Sequence, residues 1–131
     1  MQEQSTSIAD LARESGFSVH TLRYYERIGL LEPIARNDSG HRVYDVFAVE
    51  WVTLLRNLRD TGMPIRTMQE FATLVRQGQT TVPERIRVLE EHRASILEQI
   101  AVLSEALERV NDKLDHYTRG DAITPDRGDQ S

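Results

Sequence analysis

The feature that most constrains this chain is an apolar run between residues 86 and 117 whose members recur at alternating steps of three and four. Ile86, Leu89, Ile96, Ile100, Leu103, Leu107, Val110, Leu114 and Tyr117 carry it, and Arg93 fills its one gap. Five a and five d positions of a heptad are thereby occupied, which is the signature of a coiled-coil seam. Pro83 suits a helix first turn, so one helix is expected over 81–118. A seam of this length needs a partner helix to cover it, and nothing else in the chain is long enough. A second copy is, so the spacing predicts a homodimer with these nine residues as its dimerisation surface.

Upstream, the chain reads as short helices separated by turns. Ser7 caps a first helix with Asp10 three residues on, and Ile8, Leu11 and Ala12 share one side. Gly16 allows a sharp turn, Ser18 caps a second helix over Val19–Ile28, and Gly29 ends it. Two short helices joined by a glycine turn make a helix-turn-helix, whose second helix can enter a major groove. In that helix Val19 and Leu22 face inward with Tyr25 beside them, while His20, Arg23, Tyr24 and Arg27 project outward. Two arginines and a phenol on one short face can donate to phosphates and base edges.

Pro33 stops what precedes it, and Arg36-Asn37-Asp38-Ser39-Gly40 is turn-rich between two β-capable segments. This predicts a β-wing that carries Arg36 and Arg42 beside the second helix. Asp45 is expected to cap a third helix running to about Thr61, with Val46, Val49, Trp51, Val52, Leu54, Leu55 and Leu58 as apolar surface. Gly62-Met63-Pro64 breaks it, and a fourth helix follows with Ile65, Met68, Phe71, Ala72 and Val75 in register, closed by Gly78. The expected fold is therefore mainly α. A winged helix-turn-helix domain with two accessory helices spans 7–78, and a dimerisation helix spans 81–118. Residues 1–6 and 119–131 are expected to be disordered ends.

Composition narrows the function classes. The net charge is −5, which by itself does not point to nucleic acid. The deficit lies late in the chain, however: residues 1–79 hold nine arginines against ten acids, whereas residues 80–131 hold seven basic residues against eleven acids. Cysteine is absent, so no disulfide, thiolate metal site or thiol switch exists. The N-terminus lacks the pattern of a signal peptide, and no apolar stretch is long enough to span a membrane, so a soluble cytoplasmic protein is expected. There is no cysteine nucleophile, Gly-rich phosphate loop or Ser/His/Asp arrangement, so an enzyme is not expected, nor any cofactor. His20 and His41 belong to the DNA-reading surface, and His92 and His116 lie far apart on one helix, so no metal site is expected either.

Three segments then carry a resemblance. Thr21-Leu22-Arg23-Tyr24-Tyr25-Glu26-Arg27-Ile28-Gly29-Leu30, then Gly40-His41-Arg42-Val43-Tyr44, then Leu58-Arg59-Asp60-Thr61-Gly62-Met63-Pro64-Ile65 resemble the MerR family of transcription regulators. The similarity runs from residue 7 to about 118. It implies an antiparallel coiled coil and a homodimer on an inverted-repeat promoter element. It also implies a partnership with RNA polymerase, in which the bound DNA spacer is bent and untwisted in response to an effector. Carried over residue by residue, double-stranded DNA contact falls to Arg23, Tyr24 and Arg27 in the recognition helix. Ser18, His20 and Thr21 open that helix, Arg36, Arg42 and Tyr44 belong to the wing, and Arg59 to a second wing; for Tyr44, as for Tyr25, the stronger reading of the ring is that it packs the domain.

The resemblance is nearest to a branch that senses aldehydes or electrophiles. There a reactive cysteine precedes the Leu-Arg-x-Thr-Gly-Met segment, but the matching residue here is Asn57, so thiol sensing is excluded. A small-molecule effector bound between the long helix and the partner's fourth helix remains an option. So does an effector-independent winged-helix repressor or architectural DNA-binding protein.

Overall fold

In the computed structural model, which describes residues 5–33 and 35–120, the chain divides into two compact units meeting at Leu89 and Glu90. The first holds a three-stranded antiparallel sheet and four helices. Its elements run β1 (Ser5–Ser7), α1 (Ile8–Ser15), α2 (Val19–Arg27), β2 (Ala35–Arg36), β3 (Arg42–Asp45), α3 (Ala48–Asp60) and α4 (Ile65–Arg76). A 3-10 turn, Gln79–Thr81, leads into α5 (Val82–Thr118), whose first turns belong to this unit. The second unit is the remainder of α5, and the outer tail lies outside the described residues.

Local chemistry accounts for each boundary. Ser7 and Asp10 cap α1 reciprocally: each side chain accepts from the other's backbone amide. Ser18 accepts from the Thr21 amide at 3.0 Å and so starts α2. Helix α2 ends in a Schellman motif, with the Gly29 amide bonded to the Glu26 carbonyl and the Leu30 amide to the Tyr25 carbonyl. Gly29, at φ 89°, supplies the left-handed residue that this closure requires. Helix α3 ends the same way: the Gly62 amide bonds the Arg59 carbonyl and the Met63 amide the Leu58 carbonyl.

The core sits where α1, α2 and α3 meet the sheet. Leu11, Leu22, Tyr25, Leu30, Tyr44, Val52, Leu55 and Met68 are buried in it, and Val88 from the start of α5 packs against it. Phe17 meets Tyr25 edge-on at 5.2 Å, and Trp51 stacks on Phe71 at 6.0 Å.

Two expectations are corrected. The stretch 1–6, expected to be disordered, enters a strand at its end: Ser5–Ser7 pairs antiparallel with β3, Thr6 opposite Tyr44, while residues 1–4 lie outside the described residues. A two-stranded wing would leave one edge of β3 with unpaired backbone groups, and the short strand satisfies them. Asp45 does not cap α3. The helix begins two residues later than a cap there would require, with Phe47 at its N-cap position, and the Asp45 carboxylate accepts from the Phe47 amide at 2.8 Å within the preceding turn. At the other end, Arg119 and Gly120 extend the last turn of α5 through amides bonded to Asp115 and Tyr117.

Gly16 is where the turn between α1 and α2 is most constrained. It sits at φ 83°, and a Cβ placed there would lie 2.0 Å from the Arg56 guanidinium. That guanidinium donates to the Ser15 carbonyl at 2.8 Å, tying α3 to the turn. Gly16→Ala should therefore cost about 1 kcal/mol more in urea denaturation than Gly40→Ala. Both substitutions strain a left-handed backbone, but only Gly16→Ala also displaces a hydrogen bond worth roughly 1 kcal/mol.

Candidate nucleic-acid interface

The recognition helix is braced at its C-terminal end by side chains from α3 and α4. After the Schellman closure, three successive carbonyls, those of Ile28, Gly29 and Leu30, still lack helical partners. Gln69 Nε2 donates to the first at 3.0 Å, Arg76 Nη1 to the second at 2.8 Å and Trp51 Nε1 to the third at 2.7 Å. Helices α3 and α4 thus fix the direction in which α2 points.

With α2 so held, His20, Arg23, Tyr24 and Arg27 are exposed along it, while Leu22 and Tyr25 are buried. The Arg27 guanidinium lies over the Tyr24 ring, 5.8 Å from its centroid. Ser18 is exposed, but its hydroxyl is engaged in the cap, where it also donates to Thr21 Oγ1 at 3.1 Å. Thr21 is half-buried.

The wing is a hairpin pairing Ala35 with Val43 and Arg36 with Arg42. Asn37 builds its tip, accepting from the Ser39 and His41 amides at 2.9 and 3.0 Å. Arg36 spans that tip by donating to the Gly40 carbonyl at 2.8 Å. A notch of about 550 Å3 opens between wing and recognition helix, lined by Arg23, His41 and Arg42 together with the amino end of α1. Cations from two separate sequence motifs therefore share one concave surface.

Two expected contact residues are engaged otherwise. Tyr44 is wholly buried, so its ring packs the domain instead of facing a ligand, and its hydroxyl donates to Glu26 Oε2 at 2.5 Å. Burial raises the Tyr44 phenol far above its ordinary value, and the neighbouring Glu26 raises it further. Arg59, from the α3–α4 corner, lies over the Phe17 ring at 4.8 Å and donates to Asp60 Oδ1 at 2.9 Å. That bond holds the Asp60 carboxyl below its usual range. Sequence reasoning missed Glu26, whose Oε1 accepts from Arg42 Nε at 2.5 Å. No local signal marks it, because its partners Arg42 and Tyr44 lie on the wing, 16 and 18 residues further along the chain.

Asn57, at the place of the branch's cysteine, is exposed. Among the described residues no cluster of three or more His, Cys, Asp or Glu could hold a metal ion, and no helix is long and apolar enough to cross a membrane.

Comparison with known proteins agrees with this geometry. Residues 6–74 match the model of the MerR helix-turn-helix regulatory proteins, and residues 49–116 match that of the MerR DNA-binding region. The transcriptional regulator AdhR of Bacillus subtilis is 38% identical over 92 residues, 70% of this chain and 66% of AdhR, just under two thirds of that relative. A MerR-family regulator structure from Listeria monocytogenes superimposes with a TM-score of 0.78 at 36% identity, covering 86% of each chain. HiNmlR, a family member lacking the sensor domain and solved bound to promoter DNA, gives a TM-score of 0.78 at 31% identity over 91% of this chain and 94% of its own.

Removing the hydroxyl in Tyr44→Phe leaves the Glu26 carboxylate one donor short in a largely buried place. The variant should fold and lose about 1–3 kcal/mol of stability in urea denaturation. In the wild type the phenol binds its proton more tightly folded than unfolded. Its contribution is therefore complete below pH 10 and declines as pH rises beyond it, a loss that Tyr44→Phe should not show. The chain belongs to the MerR family of DNA-binding transcriptional regulators.

Proposed function

We propose that two copies of this chain pair through α5 and bind an inverted-repeat promoter element in the cytoplasm, acting with RNA polymerase and without catalysis of their own. The observation that carries the DNA half of this reading is the shared notch, in which Arg23 of the recognition helix and His41 and Arg42 of the wing face one space. Arg23, Tyr24, Arg27, Arg36 and Arg42 reach phosphates and base edges, and His20 and Thr21 lie at the start of the inserted helix. Ser18 contributes by capping that helix, and Arg59 only to the extent that a phosphate can compete with Asp60. HiNmlR, whose described form is bound to promoter DNA, supports the assignment through its similarity along nearly the whole chain.

The dimer half rests on the seam. Ile86, Leu89, Ile100, Leu103, Leu107, Val110, Leu114 and Tyr117 are all large, apolar and between 38% and 68% exposed in the single chain. A contiguous apolar surface of this kind marks an interface. In an antiparallel pair each a position meets a d position. The register that uses the entire seam sets Ile86 against the partner's Tyr117, Leu89 against the partner's Leu114, Arg93 against the partner's Val110, Ile96 against the partner's Leu107, and Ile100 against the partner's Leu103. Two-fold symmetry then aims two recognition helices at successive turns of one duplex face. A small-molecule effector would act on this dimer by favouring one DNA geometry over another. Without cysteine it would not act through a thioether or a disulfide.

Two measurements test the reading. In sedimentation equilibrium the wild type should be a dimer at micromolar concentration. Leu103→Glu, beside the dyad, should give monomers, whereas Val110→Glu sets a carboxylate opposite Arg93 and should dimerise better than Leu103→Glu. In fluorescence anisotropy with the duplex upstream of the chain's own gene, Arg23→Ala should weaken binding about 10- to 100-fold with the fold retained by circular dichroism. A monomeric wild type, or binding equal to that of a scrambled duplex, would refute the regulator reading and favour an architectural DNA-binding role.

A further inference from the structure

Glu26 is the one carboxylate that the recognition helix carries, and it sits among cations on a face that must approach polyanionic DNA. A carboxylate there raises the energy of every DNA complex, so its presence calls for a compensating role. Its geometry is specific. The side chain is only 13% exposed, and both oxygens are used: Oε1 by Arg42 Nε and Oε2 by the Tyr44 hydroxyl, each at 2.5 Å. Both donors come from β3, two residues apart and so on one face of the strand. The contact therefore locks wing to recognition helix at two points. It also fixes the plane of the Arg42 guanidinium, because Nε lies at the inner corner of that rigid fork. Arg42 remains 34% exposed, and among the described residues its guanidinium has no second partner, so its outer edge is available to a ligand.

We propose that Glu26 is a specificity-determining residue of the DNA-binding surface, holding Arg42 in one pose and disfavouring duplexes whose backbone does not pass that pose. This rests on the regulator reading above and deepens it. A free arginine on a wing swings to whichever phosphate is nearest and stabilises any duplex alike. A tethered one donates only where its outer edge already points, so a fitted site gains the full charge-assisted hydrogen bond. A poorly fitted site must detach Arg42 from Glu26 to gain it, and also meets an uncompensated carboxylate. The repulsive element counts against wrong partners more than against the right one.

Glu26→Gln keeps the shape of the side chain and an oxygen that accepts from Tyr44, but removes the charge that tethers Arg42. Binding is measured by fluorescence anisotropy across a salt series, with the duplex upstream of the chain's own gene and a scrambled duplex of equal length. The expected result for Glu26→Gln is a rise of about 3- to 10-fold in affinity for the scrambled duplex, with a salt slope steeper by about 0.9 for one added phosphate contact. Affinity for the promoter duplex should change less than the scrambled affinity, so discrimination falls. If Glu26 acts through Arg42, adding Glu26→Gln to Arg42→Gln lowers discrimination no further than Arg42→Gln alone.

A purely structural Glu26 would instead lower thermal stability and weaken both duplexes in proportion. That result, or unchanged discrimination in a folded Glu26→Gln, overturns the proposal while leaving the regulator reading intact. A wild type that does not discriminate at all overturns both, since there is then no selectivity for Glu26 to set.

Discussion

Three side-chain hydrogen bonds to three consecutive carbonyls govern what this molecule can do. A nine-residue helix is too short to be stable alone in water, and its direction in space is not set by its own sequence. Here Gln69, Arg76 and Trp51 hold the carbonyls of Ile28, Gly29 and Leu30, where the helix ends and the chain turns towards the wing. The Schellman closure at Gly29 leaves those groups pointing outward, and Leu30 enters the core directly after it. Helices α3 and α4 are thus the brace of the recognition helix as well as its neighbours. A cut that kept only the first two helices and the wing would leave three carbonyls without partners and the arginine face without a fixed direction.

How much of this was legible in the sequence depended on whether the deciding interaction was local. The reciprocal cap of Ser7 and Asp10, the cap at Ser18 and the left-handed glycines at 16 and 29 involve residues within a few positions of one another, and each read correctly. The split between Leu22 and Tyr25 inside and Arg23, Tyr24 and Arg27 outside follows from helical spacing alone. Asp45 misled because an aspartate before a helix can serve either the helix or the turn ahead of it, and the Phe47 amide was nearer. The strand Ser5–Ser7 misled because its reason to exist is the open edge of β3, some forty residues away. Tyr44 belongs to the same class. An aromatic phenol in a wing reads either as a DNA contact or, more strongly, as packing; the ring is buried, and what the sequence does not show is the α2 carboxylate that its hydroxyl meets. Glu26, Gln69 and Arg76 were invisible for that reason, since their partners lie 16 to 47 residues off in the chain.

The same contrast explains why the acidic balance of the whole chain is a poor guide to its partner. Net charge sums over all distances, whereas at physiological salt exposed charges are largely screened beyond about 8 Å. What a phosphate meets is the local set. Several acids of the first unit are already engaged: Asp10 by Arg13, Asp60 by Arg59 and Arg56, and Glu26 by Arg42. Those contacts differ in kind. The Asp10 and Asp60 pairs are solvated, and such pairs contribute little to stability. The Glu26 contact is largely buried and shared with a phenol, so it holds a geometry as well as cancelling a charge. Arg23 and Arg27, by contrast, stand exposed on a braced helix. A chain of net −5 can therefore present a cationic edge to DNA, provided its carboxylates are paired with neighbouring arginines and the exposed arginines of α2 are held still.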